Sequence, residues 1–414
     1  MADHRAGRNL LSGEEEALQR DRYGWVVVLC AFGLMFTGFG VAYSFAAFFQ
    51  AFQAEFGAPR AHVSLVFSLC ALLWFSTGVP AGMLADRFGP RGVCLAGVAC
   101  LAAGPALAAH ARSVEILYLT YSIGVGAGIG LSYVPSVGAV QRWFSHNRAF
   151  ATGIAVSGIG AGNLAFPPLA AWWIDLYGWR GAYLALAGLT LALALPAALA
   201  VENRQMRPGV TQSGVPLAGV ALGAALRSRQ FWILYVVAFL ICVGFFVPMV
   251  HLVPYAHDRG YSDAQGVALV SLLGLGSLLG RFAISAVADR LGHMRSLIGL
   301  SAGLGALFLL WWAADAYWVL AVFAIVFGSL YGGYVALAPT LCMDLFGARN
   351  VAGIIGCLYT AAGLGTLIGP TAAGAAFDTY GSYDAPILGC ALLSFAGAAL
   401  GLALVDARPA QAAA

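Results

Sequence analysis

Twelve stretches of this 414-residue chain are each long and apolar enough to cross a lipid bilayer, and no other feature narrows its fold so far. A crossing needs about 20 apolar residues to cover roughly 30 Å of hydrocarbon at ~1.5 Å per residue. The runs lie near 25–50, 61–85, 92–110, 114–142, 148–172, 179–201, 230–256, 264–288, 296–313, 316–344, 351–376 and 384–405. Composition agrees with that reading. The chain is 61% hydrophobic and 9% charged, with a mean hydropathy of +0.84, whereas a soluble domain is about 25% charged. The expected fold class is therefore all-α and integral to the membrane, with twelve transmembrane helices.

An even number of crossings puts both termini on one side, and the distribution of basic residues says which side that is. All 21 basic residues are arginine. Sixteen fall in the termini and the even-numbered loops, and four, Arg60, Arg112, Arg180 and Arg259, fall in the odd loops. Both termini are thus expected in the cytoplasm, in a multi-pass protein of the cell membrane. The polar first 24 residues carry Glu14, Glu15 and Glu16 and contain no short apolar segment of the kind a removable signal peptide needs. The net charge of +3 follows from the loop asymmetry and gives no reason to expect nucleic acid. The eight cysteines sit in or beside apolar runs without a CxxC pair, so they read as small core residues rather than metal ligands. No cofactor or metal is expected.

Sliding the chain against itself by 203 residues aligns Asp86 with Asp289, Arg87 with Arg290, Gly89 with Gly292, Pro167 with Pro370 and Asp175 with Asp378. Matched Asp, Arg, Pro and Gly at one offset point to a tandem of two six-helix halves. The expected division is a tail over 1–24, a first half over 25–201, a linker over 202–229, a second half over 230–405 and a tail over 406–414. Parallel repeats with a site at their interface are an architecture of secondary transporters. Small residues four apart let helices approach closely. The pairs Gly78/Gly82, Gly158/Gly162, Gly276/Gly280 and Gly365/Gly369 are the expected places where the halves pack on each other.

Gly82-Met-Leu-Ala-Asp86-Arg87-Phe-Gly89-Pro-Arg91, between the second and third runs, resembles the signature loop of the major facilitator superfamily, and a degraded copy begins at Asp289. The resemblance implies a conformational latch at Asp86, Arg87, Arg91 and Asp289, in which a carboxylate at a helix end pairs with arginine. Within that superfamily, residues 21–405 are most similar to the monocarboxylate transporter family. The likeness rests on Asp21-Arg-Tyr-Gly-Trp25, on Trp143-Phe144 with Arg148-Ala-Phe-Ala-Thr-Gly153, and on Ser157-Gly-Ile-Gly-Ala-Gly162. Pro248-Met-Val-His251-Leu-Val-Pro254-Tyr255, followed by Asp258, looks like bacterial members.

The decisive residue is Arg281, eight positions before Asp289 and so about 12 Å from that helix end, near mid-membrane. A guanidinium there is costly unless it faces a partner or a wet cavity, and its planar fork matches a carboxylate. Arg281 also occupies the place of the family's substrate arginine. Two departures accompany it: Tyr43 stands where animal members have a lysine, and Ser277 stands where they have an aspartate. Proton coupling through those two groups therefore cannot operate in this chain. The replacement candidates are Asp258, slightly favoured, and His251, a side-chain type whose ordinary pKa lies near the physiological range. Tyr43, Tyr133, Tyr331 and Tyr334 are other expected substrate contacts, because a phenol supplies an apolar ring with one hydroxyl, and Ser277, one turn before Arg281, is a further one.

No enzyme is expected. Gly299-Leu-Ser301-Ala-Gly303 has the nucleophile-elbow pattern but lies within an apolar run, and neither HExxH nor a phosphate loop occurs. The expected function is secondary active transport of a small organic anion, a monocarboxylate with a symported proton, by alternating access in a monomer. The alternatives are carboxylate/carboxylate antiport of the oxalate/formate kind and export of another small molecule. The identity of the acid is not readable from the sequence.

Overall fold

A computed structural model describes residues 3–144, 148–202, 219–347 and 350–405. The expected tail over 406–414 and most of the linker lie outside the described residues. The membrane-crossing helices are α1 (Tyr23–Phe56), α2 (Arg60–Phe88), α3 (Pro90–Ala108) and α4 (Val114–Trp143). A single helical run, Arg148–Ala200, follows. At 53 residues it would be about 80 Å long, too long for one crossing. Gly178, at φ 69° and ψ 170°, breaks it into α5 (148–177) and α6 (179–200). The second half comprises α7 (Arg229–Asp258), α8 (Asp263–Leu291), α9 (His293–Trp312), α10 (Tyr317–Phe346), α11 (Val351–Tyr380) and α12 (Asp384–Gly401). Among the described residues the fold is all-α, apart from one isolated bridge between Gly219 and Gly347. The helix that contains α1 reaches back to Asp3, so part of the stretch expected as a tail continues the first crossing.

The repeat is visible in the helix ends. α2 and α8 begin and end 203 residues apart, and so do α4 and α10. The left-handed glycines Gly57, Gly89 and Gly178 recur as Gly260, Gly292 and Gly381 at the same offset. At Gly57 and Gly381 the reason is a helix end: each backbone N–H closes on the carbonyl four residues back, Gln53 and Phe377, in a conformation that a Cβ disfavours.

The glycine pairs do not pack where the sequence reading puts them. A Cβ on Gly276 or Gly280 would lie 2.0 Å from the carbonyl oxygen of Ile325 or Ser329 in α10. Reciprocally, a Cβ on Gly328 or Gly332 would lie 2.1 Å from those of Leu273 and Ser277 in α8. Gly158 and Gly162 meet Phe32 and Phe36 of α1, Gly365 and Gly369 meet Val243 of α7, and Gly78 and Gly82 face Val134 of α4. All of these contacts stay inside one half. Spacing by four shows that two glycines share a helix face, not which neighbour that face meets. The halves touch instead along α5 and α8, where Gly274 lies against Asn163 and Leu164, and along α2 and α11, where Gly374 lies against Ala61.

The crossing of α8 and α10 fixes the backbone that carries Ser277 and Arg281. Because the obstacle at Gly280 is main chain, it cannot rotate away. Gly280→Val is expected to abolish the monodisperse folded fraction in size-exclusion chromatography, whereas Gly299→Val, where a Cβ meets open space, is expected to leave it.

Candidate functional site

Arg281 projects from α8 across the boundary between the halves. Its Nη1 donates to the Val156 carbonyl of α5 at 3.1 Å. The side chain is 6% exposed, and both Nε and Nη2 lack a partner. Those two nitrogens form one side of the guanidinium fork, the side that accepts a carboxylate with two parallel hydrogen bonds. The groups closest to it electrically are the phenols of Tyr331, Tyr133, Tyr43 and Tyr359, with no carboxylate among them. One turn earlier on the same helix face, the Ser277 hydroxyl is buried and also unpartnered. Buried polar groups are normally paired, and each one left unmade costs about 1–3 kcal/mol. A buried cation with two idle donors thus stands one helix turn from an idle hydroxyl.

A cavity lined by residues of both halves lies between them. Three of the tyrosines singled out in the sequence, Tyr133, Tyr331 and Tyr334, line it. Tyr43, Ser277 and Arg281 are not among its lining residues and stand behind the wall; the Tyr43 hydroxyl is 2.7 Å from that of Tyr331. The rest of the wall is largely aromatic, with Phe39, Trp74, Phe75, Phe246 and Tyr359. Sequence reasoning missed these residues because aromatics are abundant throughout the apolar runs and nothing in their spacing separates cavity from lipid.

The two candidates for proton coupling lie together at the face of the protein opposite the termini. Asp258, at the end of α7, receives both Nη1 and Nη2 of Arg60 at 2.6 and 2.7 Å. Arg60 opens α2 and belongs to the other half. Its Nη1 also donates to the Tyr383 hydroxyl at 2.8 Å, and its guanidinium lies 3.7 Å above the Phe377 ring. Asp378 of α11 accepts the backbone N–H groups of Arg60 and Ala61, both at 2.9 Å, capping the positive end of a helix from across the boundary. The repeat is broken here, since the equivalent helix α8 is capped by its own Ser262.

His251 is fully buried beneath this lock. Its Nε2 lies 2.8 Å from the Pro370 carbonyl, which can only accept, so Nε2 carries the proton. Nδ1 then accepts from the Tyr383 hydroxyl at 2.9 Å. The neutral ring is thus fully satisfied, and one phenol links it to Arg60 and Asp258. Arg60 had counted in the sequence only as an exception to the loop asymmetry; its role as the partner of Asp258 needed the three-dimensional arrangement.

Residues 30–315 and 268–414 match the family model described as Major Facilitator Superfamily, so the two matches together span nearly all of the chain. The chain belongs to the major facilitator superfamily. Within it, the chain is monocarboxylate-transporter-like. It is 32% identical to monocarboxylate transporter 13 of Bos taurus over 91% of this chain and 88% of that one. It is 29% identical to monocarboxylate transporter 11 of Mus musculus over 94% and 88%. It is 32% identical to monocarboxylate transporter 3 of Rattus norvegicus over 87% and 76%. The fold also matches the crystal structure of a bacterial homolog to the human lysosomal transporter Spinster, with a TM-score of 0.69 at 16% identity, covering 92% of this chain and 95% of that one. These relatives are transporters rather than enzymes, and the chain is a multi-pass membrane transporter of their superfamily.

The superfamily's signature loop pairs differently from the expected latch. Asp86 pairs with Arg142 at the end of α4, not with Arg87 or Arg91. Arg91 lies 3.5 Å from Glu202, and Arg87 stacks over the neighbouring Phe88 ring. Asp289 lies 3.5 Å from His293, which also contacts Asp344. The Asp86 and Asp289 contacts each stay within one half, whereas Arg91 reaches Glu202 at the start of the linker. The helix that supplies the partner of Asp86 could not be read from the loop alone, because Arg142 lies 56 residues away.

Proposed function

We propose that the protein is a secondary active transporter of a small organic anion, a monocarboxylate, which binds at Arg281 between two halves that open alternately to either side. The observation that carries this reading is the idle Nε/Nη2 fork of a buried arginine anchored to the opposite half. An anion there neutralises the one charge in the middle of the membrane and is contacted by both halves. The loop arginines support cytoplasmic termini, so the closed far face is the outer one.

The lock at that face supports a proton role for Asp258 in preference to His251. Protonating Asp258 removes half of its ion pair with Arg60 and loosens the far face, whereas His251 is satisfied as a neutral ring. Proton symport follows if the proton arrives at Asp258 from outside and favours opening toward the anion. Carboxylate/carboxylate antiport across Arg281 needs no such titration, and the response to a proton gradient separates the two.

The test is uptake of a panel of labelled monocarboxylates into proteoliposomes, with and without an inward proton gradient. Accumulation that depends on the gradient is expected. Uptake that ignores the gradient but is driven by an internal carboxylate would replace symport with antiport. Failure of every carboxylate to move would overturn the anion site.

A further inference from the structure

The cavity wall is chemically one-sided. The rings of Phe39, Trp74 and Phe75 from the first half meet those of Phe246, Tyr331 and Tyr359 from the second. Trp74 and Phe246 have centroids 5.9 Å apart at 57°, Phe75 and Tyr359 are 5.9 Å apart at 69°, and Phe246 and Tyr331 are 5.9 Å apart at 77°. These tilted and edge-on arrangements form a continuous aromatic belt across the boundary. No carboxylate, amide or basic side chain lines the cavity, and the polar groups its lining residues carry are phenol hydroxyls, the Trp74 indole N–H and the Cys242 thiol.

We infer that the substrate is a monocarboxylate with an aromatic or comparably large apolar tail and no α-amino group, and that Trp74 and Phe246 set this specificity. The inference rests on the reading of Arg281 as the anion site. Arg281 supplies one positive charge, enough for one carboxylate. A second carboxylate would be buried without a counter-charge, and an ammonium group would find no acidic partner, both of which are expensive in a water-poor site. A three-carbon acid satisfies Arg281 but leaves the ring surface of the wall uncovered. A planar apolar tail covers that surface and adds a ring to the belt in the geometry its members already adopt.

Three probes separate the terms. Phenylpyruvate and pyruvate share a head group and differ by a phenyl ring, and phenylalanine keeps the ring but adds the ammonium. In proteoliposomes containing the full chain, phenylpyruvate is expected to be taken up with an apparent KM at least tenfold below that of pyruvate, and phenylalanine is expected not to compete. Trp74→Leu and Phe246→Leu are each expected to reduce the phenylpyruvate-to-pyruvate selectivity at least tenfold. This ratio is internal to each variant and does not depend on how much protein folds. Equal or better use of pyruvate, competition by phenylalanine, or an unchanged ratio in both variants would each overturn the inference while leaving Arg281 as the anion site. If neither acid is taken up, the anion site itself fails and the inference falls with it.

Discussion

Arg281→Ala is expected to lower carboxylate uptake by about 30-fold to a few thousand-fold while leaving the protein at least as stable as the wild type. The loss follows from removing one partner of a buried charge-assisted contact, which costs about 2–5 kcal/mol at ~1.4 kcal/mol per tenfold. The stability follows from the same geometry. Arg281 makes one hydrogen bond, to Val156, and holds two unpaired nitrogens in an apolar interior, so its removal relieves desolvation instead of breaking an ion pair. An arginine that served structure would behave in the opposite way, with a lowered melting temperature and uptake falling only in proportion to folded protein. Arg281→Lys is expected to recover little, because an ammonium keeps the charge but not the fork.

The second large effect is expected at the far face. Arg60→Ala and Asp258→Asn each break a two-point ion pair between the halves that is largely shielded from water on the Arg60 side, where the side chain is 9% exposed. Breaking a partly buried pair of this kind costs between the exposed value of about 1 kcal/mol and the buried value of about 3 kcal/mol. That shifts the balance toward the far-open state by roughly five- to 150-fold. A cysteine introduced at Ala61 in a background without the native cysteines reports it: its labelling rate from outside is expected to rise by that factor in either variant. The double variant is expected to label no faster than the singles, since the two residues act as one unit. Asp258→Asn is also expected to remove the response of uptake to a proton gradient while leaving anion exchange. His251→Gln keeps a donor at the Pro370 carbonyl, and is expected to keep that response. Unchanged labelling in Arg60→Ala would show that the pair does not hold the far face shut.

Much of the architecture could be read from the sequence because bilayer thickness and polar punctuation are strong constraints. The 203-residue offset found from Asp, Arg, Gly and Pro matches reappears in the ends of α2 and α8 and in the left-handed glycines. Arg281 stood out because a lone charge in an apolar run is rarely incidental. Pairings over long separations were not legible. Asp258 with Arg60 spans 198 residues, Arg60 with Tyr383 spans 323, and Tyr43 with Tyr331 spans 288. Nor could the sequence tell a ring in the cavity from one in lipid: Trp74 faces the cavity and Trp318 is 68% exposed on the outside, although both sit in apolar helices. The glycine pairs failed for a related reason, since a helix has several faces and periodicity names the face without naming its neighbour.

Equilibrium binding shows whether the idle fork of Arg281 holds a carboxylate. Purified wild-type protein and Arg281→Ala would be titrated with labelled phenylpyruvate and with a labelled short acid such as pyruvate, each competed by the unlabelled acid or by its uncharged amide. Saturable binding of at least one acid, displaced by that acid and not by its amide, and lost in Arg281→Ala, is the expected result. Equal displacement by acid and amide, or undiminished acid binding in Arg281→Ala, would contradict it.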